Sequence, residues 1–284
     1  MGRGRAILFV IIAAILLSTG GVLLKFVDMN PLAIASARGF FSTAIVWLYL
    51  KKPDFTLTKP KVIGAISYAG MITGFIVANK LTTAANAIVL QFTAPIWVAI
   101  LSIFILKEKI KLYDIISILL VSVGMVLFFM DDVSGGNQLG NIVAVLSGVA
   151  LAGSTIAMKF QEEGSTVEIT LMGHMLTTIV CFPFLLQEPN FTLENFLVIA
   201  ILGIFQLGIA YILFAIAIRY VTALEAILIM FLEPILNPIW VFIVVGERPS
   251  LLALVGGLIV ISTVAIRSIY ISNLNKRQDF IEDN

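Results

Sequence analysis

The sequence predicts an all-α membrane protein with ten transmembrane helices in two inverted five-helix repeats. Its composition, its apolar segments and an internal repeat support this fold class. The chain has 284 residues, of which 60% are hydrophobic and 12% are charged, whereas about 25% of the residues in a soluble domain are charged. No water-soluble core could hide this much apolar surface. The lipid bilayer must therefore be the solvent for most of the chain.

Ten apolar segments reach or approach the roughly 20 residues that a membrane-spanning helix needs. They cover residues 5–26, 31–50, 61–79, 84–106, 112–130, 138–159, 168–187, 194–218, 222–245 and 250–271. The fourth and ninth segments begin so soon after their predecessors that each pair must form a tight helical hairpin. Arg3 and Arg5 precede the first segment, but no small-residue cleavage site and soluble domain follow it. That segment is therefore interpreted as a membrane helix rather than a signal peptide.

The fourth and ninth segments are near-copies of each other. Residues 84–109 read AANAIVLQFTAPIWVAILSIFILKEK, and residues 223–248 read ALEAILIMFLEPILNPIWVFIVVGER. One constant shift in numbering aligns Thr83 with Thr222, Phe92 with Phe231, Pro95 with Pro234, and Glu108 with Glu247. A weaker match places Lys25 at the end of the first helix opposite Lys159 at the end of the sixth. Because five is odd, the second copy must enter the membrane from the opposite side. We expect repeats at residues 1–130 and 138–271 and a loose cytoplasmic tail at 272–284.

The distribution of Lys and Arg predicts the orientation. If the N-terminus lies inside, the outer ends of the helices carry three Lys and Arg residues, namely Lys25, Lys80 and Arg248. The inner segments then carry fourteen. The fourteen are Arg3, Arg5, Lys51, Lys52, Lys59, Lys61, Lys107, Lys109, Lys111, Lys159, Arg219, Arg267, Lys276 and Arg277. Both termini of this multi-pass protein are therefore expected in the cytoplasm, with the helices in the plasma membrane.

Several classes of protein are disfavoured. A net charge of +1 argues against a nucleic-acid partner. The single Cys181 and the single His174 leave no plausible metal or haem site, and no cofactor is expected. An intramembrane enzyme would need a nucleophile with its base, or a set of metal ligands. No G-x-x-x-x-G-K-[ST] motif occurs, so any energy coupling must come from an ion or solute gradient.

These features resemble the EamA-type transporters of the drug/metabolite transporter superfamily. The resemblance rests on ten helices in two halves, with Pro95 and Glu108 closing one copy and Glu233-Pro234 and Gly246-Glu247 closing the other. It implies a central cavity between the halves, alternating access, and the lipid bilayer and a small-molecule substrate as partners. Members move amino acids, quaternary amines, nucleotide-related metabolites and toxic compounds, often outward. The sequence departs from the pattern at Leu106-Lys107-Glu108, where Gly-Glu is common.

Glu233 and Arg38 are the first candidates for substrate binding. Charged side chains deep in a membrane helix are rare and tend to face a cavity. Glu233 could exchange a proton or pair with a cationic part of the cargo, or it could be a structural acid beside Pro234. Arg38 could hold a carboxylate of the cargo or Glu233 itself, or it could brace a helix contact or extend to the outer interface. If both line one cavity, they match a zwitterion.

Pro95, Pro234 and Pro238 are candidate hinges, or static kinks, because each removes an intrahelical hydrogen bond. Further candidate substrate contacts are Ser18, Thr19, Gln91, Ser154, Thr155, Tyr211 and Asn237, with Asn79, Asn86, His174 and Gln206 as additional polar residues. Each of these could equally form an interhelical hydrogen bond. Trp97 and Trp240 could stack on a cationic cargo or fill core volume. Glu108 and Glu247 are interpreted as loop anchors or gate-side ion pairs.

The predicted function is a secondary transporter that exports amino acids or related zwitterions by alternating access, with proton coupling at Glu233 as one option. A transporter of quaternary amines or other organic cations is the alternative. Outside this class, a membrane receptor or scaffold would be expected to have a large soluble domain. An uncoupled channel is a further alternative. The sequence does not define the oligomeric state.

Overall fold

The computed structural model describes residues 1–131, 137–161, 165–246 and 250–282, and these form a bundle of helices without strands. The ten helices are α1 (Arg3–Leu24), α2 (Pro31–Leu50), α3 (Lys59–Leu81), α4 (Ala84–Leu106), α5 (Leu112–Phe128), α6 (Gln138–Phe160), α7 (Val167–Leu186), α8 (Leu193–Tyr220), α9 (Ala223–Met230 and Leu232–Val245) and α10 (Leu251–Glu282). Within the described ranges, nine are long and apolar enough to cross a membrane, and α5 is a shorter apolar helix. The predicted fold class is confirmed.

Side-chain caps fix the starts of α4 and α9. Thr83 Oγ1 accepts a hydrogen bond from the Asn86 backbone N–H, and Thr222 Oγ1 accepts one from the Glu225 N–H, each at 3.1 Å. Such caps satisfy amide donors that a helix start leaves unpaired. The same cap therefore starts α4 and α9 at equivalent positions of the two repeats.

The end of the chain differs from the expectation of a loose tail. The helix α10 continues from Leu251 to Glu282 instead of ending near residue 271. Residues 273–282 contain no proline or glycine, so nothing in this stretch terminates the helix at the membrane surface.

Helix packing follows the repeat. Equivalent helices of the two repeats contact each other, because α2 packs on α7, α4 on α9 and α5 on α10. The contact of α3 with α6 has its counterpart in α8 with α1, and that of α3 with α7 in α8 with α2. This pattern is that of two units related by a pseudo-twofold axis in the membrane plane.

Contacts between helix ends define two faces of the bundle. At the amino-terminal face, where α1 begins, Arg3 pairs with Glu225 at the start of α9, and Lys159 at the end of α6 donates to Val221 O at 2.7 Å. At the opposite face, Thr82 at the end of α3 donates to Asn141 Oδ1 in α6 at 2.8 Å. Thus α1 begins where α6 ends, as inverted repeats require.

The interruptions of α4 and α9 meet at the centre. The helix α4 is interrupted at Phe92 and Thr93, and α9 at Phe231. The rings of Phe92 and Phe231 pack edge to face, with centroids 4.7 Å apart. Two equivalent residues can contact each other only close to the axis that relates them. The breaks beside Pro95 and Pro234 therefore lie next to the pseudo-twofold axis.

The contact of α5 with α10 depends on two glycines. A Cβ atom at Gly256 would lie 2.4 Å from Gly124 O and 2.5 Å from Phe128 N, both backbone atoms. Backbone atoms of a packed helix cannot move aside as a flexible side chain can. Small residues at such crossings allow membrane helices to approach closely.

We predict that Gly256→Ala lowers the free energy of unfolding by about 1–3 kcal/mol, the usual effect of overpacking. Unfolding in lipid–detergent micelles is the measurement. The matched control is Gly70→Ala in α3, where a Cβ atom would meet only the Ala150 Cβ at 3.9 Å. An equal loss in both variants would contradict the steric explanation.

Candidate functional site

Arg38 and Glu233 form the charged centre of the bundle. Arg38 lies on α2 of the first repeat and Glu233 on α9 of the second, and they are close enough to interact electrostatically. Both side chains are half-buried. The Arg38 Nε atom is buried and has no hydrogen-bond partner among the described residues. The structure thus places near each other the two residues that the zwitterion hypothesis requires to line one cavity, and that hypothesis stays a prediction.

Three buried aromatic side chains lie near Arg38. The ring of Tyr68 lies 4.9 Å from His174 and 4.8 Å from Tyr211, both edge to face. Tyr68 and Tyr211 interact electrostatically with Arg38. The His174 Nε2 atom is buried without a hydrogen-bond partner in the described part of the chain. These rings come from α3, α7 and α8, so residues from both repeats lie near the guanidinium.

Tyr68 was not among the candidate residues of the sequence analysis. A single tyrosine in an apolar helix gives no pattern that separates it from core packing. The one indirect signal is Gly173, because a Cβ atom there would lie 2.6 Å from Tyr68 Cδ1. That signal appears only once the contact of α3 with α7 is known.

A second polar cluster lies where α1 is interrupted near Thr19. The Trp240 indole N–H donates to Ser18 Oγ at 2.8 Å. Asn237, one turn before Trp240, packs on Gly21 so closely that a Cβ atom there would lie 2.0 Å from Asn237 Oδ1. These side chains connect α1 to α9.

Several other candidates form hydrogen bonds within their own helices. Ser154 Oγ and Thr155 Oγ1 both donate to Leu151 O at 2.9 Å, and Thr19 Oγ1 donates to Leu16 O at 2.7 Å. Such bonds satisfy a hydroxyl group in an apolar medium. Asn79 likewise donates to Phe75 O and the Trp97 indole to Thr93 Oγ1, whereas Gln206 donates across to Leu17 O in α1.

The proline in α4 frees a carbonyl group that faces protein. Pro95 cannot donate to Gln91 O, four residues earlier. A Cβ atom at Gly148 would lie 2.6 Å from this oxygen, so the absence of a side chain lets α6 cover the break. Freed carbonyls in lipid require such cover. The hinge role of Pro95, Pro234 and Pro238 stays a prediction.

A cavity of about 480 Å³ lies at the amino-terminal face rather than around Arg38. Its lining includes Arg3, Glu108, Lys159, Glu225 and Arg267. Burial raises the pKa of the Glu108 carboxyl, although the nearby Lys159 ammonium and the Ala223 backbone favour the charged form. Glu108 therefore reaches the start of α9. Its counterpart Glu247 lies outside the described residues.

Buried ion pairs at this face were not expected from the sequence. Arg267 on α10 contacts Asp114 on α5 at 2.6 Å, and Lys61 on α3 contacts Glu168 on α7 at 2.7 Å. Hydrogen bonds with Thr56, followed by Lys61, lower the pKa of Asp54 to about 2. The partners in each buried pair are far apart in the chain, so no local pattern indicates them.

Comparison with known proteins identifies the family. The EamA-like transporter family matches residues 4–130 and again residues 138–269. The chain belongs to the EamA-like transporter family. The central charged pair and the inverted contacts thus belong to a transporter.

Relatives of this EamA-like transporter are themselves named only as transporters. An uncharacterized transporter of Clostridium kluyveri is 26% identical over 278 residues, with 89% of each chain covered. One from Archaeoglobus fulgidus is 24% identical and covers 90% of this chain and 94% of its own. The uncharacterized transporter YdfC of Bacillus subtilis is 26% identical, with 87% and 85% covered. A crystal structure with 18% identity has a TM-score of 0.82 and covers 96% of this chain and 99% of its own, which supports the fold.

We predict that Trp240 and Ser18 are coupled in stability. Trp240→Phe and Ser18→Ala each remove the same hydrogen bond, so a double-mutant cycle should give a coupling free energy of about 1 kcal/mol. Unfolding in lipid–detergent micelles supplies the four values. As the control, Trp97→Phe combined with Ser18→Ala should be additive, because Trp97 donates to Thr93. Additivity in both cycles would refute the bond.

Proposed function

We propose that this EamA-like transporter is a secondary transporter that exports small amino acids or related zwitterions by alternating access. The supporting observation is that Arg38 of one repeat and Glu233 of the other interact at the contact between the halves. A site shared by two repeats can open to either side as the repeats move relative to each other.

The opposite charges suit a zwitterion. A guanidinium group can bind a carboxylate through two parallel hydrogen bonds, and the Glu233 carboxylate can accept from an ammonium group. Arg38 offers at least one unpartnered donor, its buried Nε, within the described part of the chain. A charged side chain at the bilayer centre costs roughly 2.5–3.5 kcal/mol on insertion scales. A cargo that neutralises both groups would offset part of that cost.

A proton can provide the coupling. Glu233 is a membrane-embedded carboxylate that can bind either a proton or the cargo ammonium, and competition for one group couples their movements. Without a nucleotide-binding motif, the driving force must be a gradient. Proton entry would release the cargo from Glu233.

Organic cations are the weaker candidate. Recognition of a quaternary amine typically uses several aromatic faces around the cation. Trp240 and Trp97 use their indole N–H groups in bonds to Ser18 and Thr93, and Tyr211 lies beside the Arg38 cation, which would repel a second cation.

Flux in proteoliposomes tests the cargo. We expect an amino acid to move, and a pH gradient to drive it, in a panel that also includes choline-like amines and purine compounds. Glu233→Gln should abolish the response to the pH gradient, and Arg38→Gln should reduce flux at least about tenfold, because loss of one charge-assisted interaction is about 1.5–3 kcal/mol.

Two control variants sharpen this test. Glu194→Gln removes an exposed carboxylate at the start of α8 and should leave flux unchanged. Arg38→Lys keeps the charge but loses the planar pair of donors, so its flux should lie between the parent and Arg38→Gln. Unchanged pH-driven flux in folded Glu233→Gln would reject proton coupling. Movement of organic cations alone would reject the zwitterion.

We also propose that both termini face the cytoplasm and that the bundle lies in the plasma membrane. The excess of Lys and Arg at the amino-terminal face supports this orientation. A green fluorescent protein fused after Asn284 should fluoresce, and alkaline phosphatase at the same place should be inactive. Active phosphatase would reverse the orientation. The division into repeats at residues 1–130 and 138–271 and the cytoplasmic location of residues 272–284 stay predictions.

A further inference from the structure

One ion pair joins α1 to α9 at the amino-terminal face. Arg3 contacts Glu225 Oε1, and only 2% of the Glu225 side chain and 23% of the Arg3 side chain are exposed. Glu225 is held in place because its backbone N–H donates to Thr222 Oγ1, the cap of α9. The pair therefore ties the first turn of α1 to the first segment of α9.

The opposite face has the equivalent contact without charge. The shift that aligns α4 with α9 places Asn86 where the second repeat has Glu225, and its backbone N–H donates to the cap Thr83 in the same way. The Asn86 amide donates to Asn141 Oδ1 at 3.3 Å. Asn141 lies in the first turn of α6, the counterpart of α1. A side-chain contact between the same two equivalent helices thus occurs at both faces, as an ion pair at one and as an amide pair at the other.

Burial differs between the two positions. All eight residues of Ala223–Met230 are buried, but only four of the eight in the equivalent segment Ala84–Gln91 are. The second segment of α9, which contains Glu233, Asn237 and Trp240, keeps these three half-buried. The first segment of α9 is therefore covered more completely than its counterpart in α4, although the cavity at the amino-terminal face reaches Arg3 and Glu225.

We propose that the pair of Arg3 and Glu225 holds the amino-terminal face closed and sets the balance between the two access states. Opening this face requires α1 and the first segment of α9 to separate. Separation at this face breaks a charge-assisted hydrogen bond, whereas at the opposite face it breaks one between neutral amides, and hydrogen bonds to charged groups contribute more. Arg3 and Glu225 are thus positioning residues for transport, and this role requires alternation between states but no particular cargo.

Thiol labelling tests the proposal. In a Cys181→Ala background, Ala226→Cys places a reporter one residue beyond Glu225, at a fully buried position. A membrane-impermeant maleimide is supplied from the amino-terminal side of sealed vesicles. We expect Arg3→Gln to raise the labelling rate about tenfold, which corresponds to a shift of about 1.4 kcal/mol in the equilibrium. The exchange Arg3→Glu with Glu225→Arg should restore slow labelling.

Matched variants separate the ion pair from general effects. Arg3→Lys keeps the charge and should label within about twofold of the parent. Arg5→Gln removes the same charge from an exposed position and should have no effect. The reporter Ala87→Cys, equivalent to Ala226 and also fully buried, is labelled from the opposite side. The labelling rate of Ala87→Cys should not rise with Arg3→Gln. Asn86→Ala should change the labelling rate of Ala87→Cys less than Arg3→Gln changes that of Ala226→Cys.

Three results would overturn the proposal in variants that remain monodisperse. The first is an unchanged labelling rate of Ala226→Cys in Arg3→Gln, and the second is an equal rise of that rate in Arg5→Gln. The third is an effect of Asn86→Ala on Ala87→Cys as large as that of Arg3→Gln on Ala226→Cys. Because labelling uses no substrate, a failure of every amino acid in the flux assay would reject the proposed cargo and leave this result standing.

Discussion

Every polar group that this chain places in the bilayer must find its partner in protein or in a wet cavity, because lipid offers none. This constraint explains why serine and threonine hydroxyls bond back to their own helices and why Gly148 lies over the carbonyl freed by Pro95. It also explains why the buried ion pairs lie at the amino-terminal face. Arg38 and Glu233 differ from these pairs because both lie well inside the bundle.

The inverted repeat places this charged pair at the centre. Phe92 and Phe231 contact each other next to the pseudo-twofold axis, and the interruptions of α4 and α9 lie beside them. Glu233 follows Phe231 closely in the chain, so its carboxylate lies beside the break of α9 and near the boundary between the halves. Glu225 on the same helix also contacts the other repeat, through Arg3, but at the amino-terminal face instead of at the centre.

The sequence could predict the helices and the repeat because both depend on local hydrophobicity and on matches at a fixed shift. The pairing of Arg38 with Glu233 was expected only conditionally, since it needs the contact between helices from different repeats. Tyr68, and the pairs of Arg267 with Asp114 and Lys61 with Glu168, gave no local signal. Their partners are distant in the chain, and an apolar helix contains no periodicity that indicates which face meets a neighbour.

Equivalent helices contact each other at both faces, but the contacting residues differ in charge. The connections before α3 and α8 differ in the same way. Lys61 Nζ donates to Asp54 O at 2.9 Å in the connection before α3, and Asn195 donates its amide to Asn190 O at 2.7 Å in the connection before α8. The shift in numbering that places Lys25 opposite Lys159 also relates Lys61 to Asn195. The face rich in Lys and Arg has ion pairs where the other has amides. In the proposed transport cycle, the ion pairs at one face and the amides at the other would give the two access states different free energies, so the charge asymmetry that predicts the orientation would also favour one state.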